Sequence, residues 1–212
     1  MLTGGAGSRA MSHAAAEVFG PSNPFSLNGR TDAWIIAQFA VGHPLAVDPT
    51  TLRRFRDLYL ERLAREIEQP GPRKGVMPGV RPLLDTLSAR DDVVLGLLTG
   101  NLEDGARLKL EYFDLWKYFT AGAFGGDTLD RNSLFAVALD RVQAVHGARV
   151  PPSDVVVIGD TPFDVEVARA GGARSVAVAT GSHDRAALAA SGADVVLEDL
   201  TDRDASLAAF GL

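Results

Sequence analysis

Between Val76 and the C-terminus, short apolar runs alternate with segments of helical periodicity. The runs "DVVLGLLTGN", "SDVVVIGD", "ARSVAVATG" and "ADVVLEDL" are rich in valine and lack a strict alternation of apolar and polar residues. Strands of this composition are covered on both faces, as in a parallel sheet with helices on its two sides. A shorter strand is expected within "YFTAGAFGG". The pattern predicts an α/β fold with a doubly wound parallel sheet over residues 73–212, joined by right-handed crossovers.

The segment before this alternation has the pattern of helices. A helix is expected from Ser8 to Phe19, and a second one after an N-cap at Thr31 or Asp32. The stretch "PTTLRRFRDLYLERLAREIEQ" is amphipathic, and "QPGPRKG" then interrupts the helix as a hinge or linker. Its expected apolar stripe is Leu52, Phe55, Tyr59, Leu63 and Ile67, with i,i+4 ion pairs Arg53/Asp57, Glu61/Arg65 and Arg62/Glu66. We therefore expect an α-helical domain over residues 1–72.

Composition excludes several classes of function. The 212 residues carry a formal net charge of -6, which argues against a nucleic acid or a membrane surface as partner. There is no cysteine, so thiol catalysis and thiolate metal sites are excluded, and the four histidines (His13, His43, His146 and His183) lack metal-ligand spacing. No apolar run is long enough to span a bilayer, and the N-terminus lacks the apolar core of a signal peptide. We expect a soluble cytoplasmic protein, and its oligomeric state is left open.

Polar residues follow the predicted strands where a ligand of an open α/β sheet binds, beyond the strands' carboxyl ends. Asp160 follows one strand directly, and Asp164 comes one helical turn later, so both carboxylates can face one point. Two carboxylates with room for water and phosphate oxygens suit Mg²⁺. The alternative is that Asp160 or Thr161 caps the next helix and Asp164 is a surface residue.

Two further strand ends carry candidates for binding a phosphoryl group. Thr99, with the amide of Gly100 or Asn101 at a helix start, would form a phosphate cradle, although this motif alone favours an ordinary strand-to-helix turn. Arg131, at the opening of a helix, would neutralise phosphoryl charge. Lys109 is the competing cation, but it lies mid-helix, away from any loop or strand end. Taken singly, each cation is better explained as a surface residue.

The order of these motifs resembles that of the haloacid dehalogenase (HAD) superfamily of phosphatases. The segment from Ala6 to Pro72 resembles that family's inserted helical cap, and "GRTD" is similar to the cap signature of phosphoglycolate-phosphatase-like members. The resemblance implies that Thr99 hydrogen-bonds the transferring phosphoryl group, and that Arg131 stands where most relatives have lysine. It also implies that Asp160 and Asp164 hold Mg²⁺, directly or through water. "TGN" with "GDTPFD" is typical of the phosphatase branch.

The sequence departs from the family at its first motif. The family's attacking aspartate lies in a DxDGT motif at the end of the first, central strand, and acts through an aspartyl-phosphate intermediate. No such motif occurs here, and "MLTGGAG" resembles the residues that follow it in relatives. Without that strand, two sheet edges would stand about 10 Å apart, which is two strand spacings. We expect that the native chain starts upstream of this Met1, and a truncated, inactive relative is the alternative.

Three functions remain to be compared. The first is an Mg²⁺-dependent phosphatase of small phosphorylated metabolites, whose attacking aspartate is absent from this sequence. The second is a catalytically inactive protein of the same fold that binds a phosphorylated metabolite or a partner. The third is a different α/β binding protein, such as a nucleotide-binding regulator, which is disfavoured because neither GxGxxG nor GxxxxGK[ST] occurs. Arg30 is a candidate for reading a substrate carboxylate, or else a surface arginine at a helix start.

Overall fold

The computed structural model describes residues 1–21, 25, 27, 29–41, 48–147 and 149–212. The chain divides into two compact units. The first unit comprises residues 1–75, 100–116 and 124–129, and the second comprises residues 76–99, 117–123 and 130–212. The sequence prediction places the boundary at residues 72–73 and counts residues 100–116 and 124–129 with the sheet.

The first unit is helical. Its helices are α1 (Ala6–Phe19), α2 (Asp32–Ala40), α3 (Pro49–Glu66) and α5 (Glu103–Tyr112). The small side chains of Ala6, Ala10 and Ala14 repeat every four residues along α1 and are fully buried, which lets α1 pack closely on α3. The helix α5 joins this core through Leu108, although it follows a strand in the sequence.

The apolar stripe of α3 is confirmed at Phe55, Tyr59, Leu63 and Ile67, which are buried in this core. Leu52 is an exception, because it lies in the first turn of the helix and is 39% exposed.

Two of the three expected ion pairs on α3 are wrong. Glu61 and Arg65 do pair, at 2.6 Å. Arg62 pairs with Glu17 at 3.5 Å, and Glu66 accepts a hydrogen bond from Arg9 at 2.5 Å. Both partners lie on α1, so contacts between helices replace the local i,i+4 contact. Arg53 donates to Thr50 and forms no pair with Asp57 within the described residues.

The second unit contains two parallel sheets. The strand β1 (Gly96–Leu98) pairs with β2 (Ala121–Ala123), and β3 (Val156–Gly159), β4 (Arg174–Val178) and β5 (Val195–Leu197) form the other sheet in that order. Its helices are α4 (Val80–Ser88), α6 (Leu134–His146), α7 (Pro162–Gly171), α8 (Arg185–Ala190) and α9 (Arg203–Phe210). The parallel α/β architecture with a helical cap is thereby confirmed, and α9 is an addition that the sequence prediction does not contain.

One apolar cluster of the second unit joins the three-stranded sheet to α4, α9 and the residues that precede β1. Leu83 and Leu87 of α4 pack with Val176 of β4 and Phe210 of α9. Two residues that precede β1, Val93 and Leu95, pack against this cluster. Within the described part of the chain, no ladder of hydrogen bonds joins β1 to β3. The absence of a central strand between them stays a prediction.

The N-terminal residues pair with the linker. Leu2 and Gly75 exchange two backbone hydrogen bonds, at 2.8 and 2.9 Å, in an isolated antiparallel bridge. The linker "QPGPRKG" is thus held by the residues that precede α1, and Leu2 extends neither sheet.

Candidate active site

The end of β3 and the start of α7 position two carboxylates. Asp160 follows Gly159, the last residue of β3, and Asp164 lies in the first turn of α7. A Cβ on Gly159 would overlap the Asp164 carboxyl group, and one on Gly181, after β4, would overlap that of Asp160. Glycine at both positions therefore gives the two carboxylates their room. Gly181 is not among the predicted site residues, although the end of β4 lies on the same sheet edge as the end of β3.

Asp164 already has three hydrogen-bond donors around it. Its Oδ1 accepts from Nη2 of Arg131 at 2.6 Å, and its Oδ2 accepts from the backbone N–H and the hydroxyl of Thr161 at 3.0 and 2.8 Å. The capping interpretation is correct in that Thr161 is the N-cap of α7 and Asp164 completes a capping box. It is wrong in making Asp164 a surface residue, since its side chain is only 12% exposed.

Asp160 differs from Asp164 in its surroundings. Burial, and next the nearby charge of Asp164, raise the pKa of the Asp160 carboxyl above its ordinary value. Unlike Asp164, it receives no hydrogen bond from another described side chain. A cation at Asp160 would offset both causes of the raised pKa.

This donor set fits the magnesium ion that the resemblance implies. Asp160 supplies a hard carboxylate oxygen, and Asp164 retains lone pairs beyond those used by Arg131 and Thr161, because a carboxylate accepts about four hydrogen bonds. Asp160 would hold the ion directly, and Asp164 directly or through water. Among the described residues there is no group of three or more His, Cys, Asp or Glu side chains that could hold a metal without other ligands. His43 lies outside the described residues.

Arg131 is fixed by Asp164 and has spare donor capacity. The ion pair is largely buried, with side-chain exposures of 15% for Arg131 and 12% for Asp164. The Nε–H of Arg131 is buried and has no acceptor among the described residues. A surface role for this arginine is therefore wrong. A buried N–H without an acceptor is uncommon, and here it belongs to a cation beside two carboxylates.

Thr99, Gly100 and Asn101 continue from β1. The N–H of Thr99 donates to Ala123 at 3.0 Å and extends the pairing of β1 with β2 in the second unit. Gly100 and Asn101 belong to the first unit, where their carbonyls accept from Asp32 at 2.6 Å and from Gly125 at 2.7 Å. The structure thus groups Thr99 with Arg131, Asp160 and Asp164 in one unit, and Gly100 and Asn101 in the other.

The "GRTD" segment holds the two loops that follow β1 and β2. Thr31 caps α2 by accepting from Trp34 at 3.2 Å, which confirms one of the two expected caps. The N–H groups of Asp32 and Ala33 donate to Gly100 and Gly125, so the first turn of α2 is satisfied by these loops. The Asp32 carboxylate accepts in return from the N–H of Leu102 at 2.7 Å.

Lys109 is a buried residue, and its interpretation as a surface cation is wrong. It is 8% exposed, and its ammonium donates to Oδ1 of Asn101. Lys109 lies in the last turn of α5, and because side chains of a helix lean toward its N-terminus, this long side chain reaches back to the loop that precedes the helix. The position of Lys109 within a helix is therefore a poor reason to predict that its side chain does not contact the loop after β1.

Arg30 lies at the start of α2 and is exposed. Its guanidinium stands over the ring of Trp34, 4.9 Å from the centroid. Its proposed role in reading a substrate carboxylate stays a prediction.

Sequence comparison connects this site with a hydrolase family. A family model described as HAD-hydrolase-like matches residues 132–203, which include Asp160 and Asp164. The chain is 32% identical over 143 residues to a phosphoglycolate phosphatase of Synechococcus elongatus, covering 68% of this chain and 64% of that protein. A phosphoglycolate phosphatase of Pseudomonas syringae is 29% identical over 154 residues, with 54% of its length covered. Over the matched segment the chain is similar to proteins of the haloacid dehalogenase superfamily.

Solved structures agree on the fold. A predicted phosphatase from Clostridium acetobutylicum aligns with a TM-score of 0.68 and 16% identity, covering 97% of this chain and 92% of that one. A predicted phosphoglycolate phosphatase from Haemophilus somnus aligns with a TM-score of 0.65 and 16% identity, covering 93% and 88%. The alignments of this chain cover 64% of the Synechococcus phosphoglycolate phosphatase and 54% of the Pseudomonas syringae one, so the chain spans only part of each. No helix of the described residues has the length and apolarity that a membrane span requires.

Proposed function

We propose that this chain is a member of the HAD superfamily and carries the phosphoryl-binding and cation-binding residues of an Mg²⁺-dependent phosphatase of small phosphorylated metabolites. The observation that carries the proposal is the buried group of Arg131, Asp160 and Asp164, in which one arginine N–H has no acceptor among the described residues. Phosphoglycolate or a sugar phosphate is the proposed substrate type. The similarity to phosphoglycolate phosphatases supports that class.

Each residue has a distinct task in this proposal. The hydroxyl of Thr99 donates a hydrogen bond to a phosphoryl oxygen. The Nε–H of Arg131 donates to a second one, while its Nη2 stays on Asp164, which keeps the guanidinium from rotating. Fixed donors of this kind stabilise charge that develops in the transition state, and charge-assisted bonds are the stronger ones. The magnesium ion, when bound, would supply further positive charge at the transferring phosphoryl group.

The attacking group is not assigned to any residue of this sequence. The mechanism of the superfamily requires an aspartate at the end of a first strand, and no aspartate of these 212 residues follows such a strand. A protein of these residues alone is therefore expected to bind phosphate and Mg²⁺, and to show no aspartyl-phosphate turnover by itself.

A catalytically inactive binding protein is the second candidate. The observation that favours it is the set of donors on Asp164, because a carboxylate held by Arg131 and Thr161 also makes a stable structural unit without a metal. Both candidates predict phosphate binding by these residues alone, and they differ in whether a chain that also contains the attacking aspartate hydrolyses a phosphate ester.

The test combines phosphate binding with turnover. Binding of inorganic phosphate in the presence of Mg²⁺ would be followed by ³¹P NMR. Release of phosphate from phosphoglycolate, glucose 6-phosphate and p-nitrophenyl phosphate would be measured on a chain extended at its N-terminus by a strand that ends in DxDGT. Thr99→Val should weaken phosphate binding, whereas Thr120→Val, at an exposed threonine just before β2, is the matched control. Binding that is equal in the wild type and in Thr99→Val would contradict the proposed site. Phosphate release that depends on Mg²⁺ would contradict the inactive alternative.

A further inference from the structure

The start of α2 is bonded to the loop that follows β1. The N–H of Asp32 donates to the carbonyl of Gly100 at 2.6 Å, and the Asp32 carboxylate accepts from the N–H of Leu102 at 2.7 Å. Gly100 comes directly after Thr99 in the chain. Two hydrogen bonds of one residue of α2 therefore hold the loop next to a proposed phosphoryl ligand.

Neighbouring residues at the start of α2 hold the loop that follows β2. The N–H of Ala33 donates to the carbonyl of Gly125 at 2.9 Å, and the hydroxyl of Thr31 donates to the carbonyl of Leu129 at 3.1 Å. Thr31 is 1% exposed, whereas Leu129 is 58% exposed. Burial of the Leu129 side chain therefore does not fix this part of the loop, and Arg131 follows two residues later.

The same two loops are packed tightly on each other and on α2. A Cβ on Gly125 would stand 1.7 Å from the carbonyl oxygen of Gly100 and 2.8 Å from the backbone nitrogen of Asp32. The N–H of Gly125 donates to the carbonyl of Asn101 at 2.7 Å. Three backbone segments thus meet at a point where a side chain at position 125 does not fit, and packing of this density transmits a shift of α2 to both loops.

The bond from Thr31 to Leu129 is more than a helix cap requires. An N-cap hydroxyl accepts a hydrogen bond from an N–H group of the first turn, and Thr31 does so from Trp34 at 3.2 Å. Its own proton is not used in that bond and goes to the carbonyl of Leu129. One buried hydroxyl therefore joins α2 to the loop that leads to Arg131.

We propose that Thr31 is a positioning residue of the candidate site, which sets the place of Arg131 through the carbonyl of Leu129. The inference rests on the proposed function, in which the Nε–H of Arg131 donates to a phosphoryl oxygen. Thr31 acts through the loop and not on the phosphoryl group. Loss of its hydroxyl would let residues 129–131 shift, and a donor displaced by about 1 Å loses much of its effect on a bound group.

The competing explanation is that Arg131 is fixed by its own surroundings and that Thr31 only caps α2. The Asp130 carboxylate accepts from the N–H of Ser133 at the start of α6, and Asp164 holds the Arg131 guanidinium. In that case loss of the Thr31 hydroxyl lowers stability and leaves Arg131 in place. The two explanations therefore differ in the position of Arg131 in the folded protein.

The test compares four chains: the wild type, Thr31→Val, Thr31→Ser and Asp202→Ala. Thr31→Val keeps the shape of the side chain and removes both hydrogen bonds, whereas Thr31→Ser keeps both. Asp202→Ala is the matched control, because it removes the N-cap of α9, whose Oδ1 accepts from Ala205 at 2.9 Å. Asp202→Ala should lower stability by a similar amount without a change at residues 129–131.

Two measurements are made on each chain by NMR. The first is the ¹H–¹⁵N signal of the Arg131 Nε–H, which reports the surroundings of that group in the folded protein. We expect this signal to shift in Thr31→Val and to stay in place in Thr31→Ser and Asp202→Ala. The second is binding of inorganic phosphate in the presence of Mg²⁺. It should weaken by roughly 2–10-fold in Thr31→Val, as for a lost neutral hydrogen bond, and recover in Thr31→Ser.

Two results would overturn the proposal. They are an Arg131 signal that is the same in Thr31→Val and in the wild type, or an equal shift of that signal in Asp202→Ala. If Thr31→Val does not fold, hydrogen exchange in the wild type decides. Coupling between two positions is reciprocal, so phosphate should slow exchange of the amides of Asp32 and Ala33, and unchanged exchange would contradict the role of Thr31.

The same data separate this inference from the proposed function. If the wild type binds no phosphate, the proposed phosphoryl site fails, and the Arg131 signal alone decides the role of Thr31. A shifted signal with unchanged phosphate affinity would support Thr31 as the positioning residue and contradict the proposed task of Arg131.

Discussion

Replacement of Arg131 by methionine is expected to destabilise the second unit by about 3 kcal/mol. The change leaves the Asp164 carboxylate buried without its cation, and removal of one partner of a buried ion pair costs about 3–5 kcal/mol. We choose the lower end because Thr161 still donates two hydrogen bonds to the other oxygen of Asp164. Relief of the unpartnered Nε of Arg131 also reduces the cost.

The assay is unfolding in urea followed by circular dichroism. With a slope of about 2 kcal/mol per M for a chain of this size, the midpoint should fall by about 1.5 M. If two transitions are resolved, the shift should occur in the one that also exposes the amides of β4 to hydrogen exchange. Arg169→Met, an exposed arginine on α7, is the matched control and should change the unfolding free energy by less than about 0.5 kcal/mol.

A double variant tests the reasoning behind this magnitude. Arg131→Met combined with Asp164→Asn removes both charges, so it should be more stable than Arg131→Met alone. If Arg131→Met lies within about 1 kcal/mol of the wild type, the pair contributes no more than an exposed salt bridge does, and the description of a buried, mutually dependent pair is wrong.

Three further predictions concern stability. Gly79→Ala should lower the free energy of unfolding in urea by at least about 2 kcal/mol, because Gly79 has φ near +79° and a Cβ there would overlap the carbonyl of Leu200. A loss near zero would mean that the backbone shifts freely and that the close contact does not constrain this position. Thr31→Ala should cost about 1 kcal/mol through loss of the N-cap of α2, and Thr31→Ser should restore most of it. The pKa of Asp194 is lowered by hydrogen bonds from the N–H and hydroxyl of Ser175, so its stabilising effect is present above pH 3.8 and is lost as the pH falls below that value. The difference in urea midpoint between the wild type and Asp194→Asn should therefore shrink from pH 7 to pH 3, and a difference that grew would reverse the assigned direction of the shift.

The positions of the helices can be predicted because each depends on local signals. Thr31 is an N-cap residue before an apolar run, and Phe55, Tyr59 and Leu63 repeat at helical spacing. The unpredicted helix α9 has comparable signals, namely a cap at Asp202, whose Oδ1 accepts from Ala205 at 2.9 Å, and a glycine at position 211.

The extent of the strands cannot be predicted from apolar runs alone. The run "DVVLGLLTGN" has ten residues, but β1 contains only Gly96–Leu98. A strand extends as far as its neighbour pairs with it, and the paired part of β2 is three residues long. The length of a strand therefore depends on both paired segments, and it cannot be predicted from the sequence of either segment alone.

The candidate site is partly accessible to sequence reasoning. Motif spacing predicts that the carboxylates of Asp160 and Asp164 lie close together. In the structure they do, since the charge of Asp164 contributes to the raised pKa of Asp160. The hydrogen bond from Arg131 to Asp164 is a tertiary contact between residues 33 positions apart, which motif spacing does not encode. The contact of Lys109 with Asn101 depends on the length of the lysine side chain, which spacing does not encode either.

Metal binding tests the central claim most directly. Binding of Mn²⁺, as a paramagnetic substitute for Mg²⁺, would be measured by electron paramagnetic resonance on the wild type, on Asp160→Asn and on Asp204→Asn, the last being an exposed aspartate of α9. We predict one saturable site that Mg²⁺ displaces, strongly weakened in Asp160→Asn and unchanged in Asp204→Asn. Equal Mn²⁺ binding by the wild type and Asp160→Asn would contradict the proposed magnesium site.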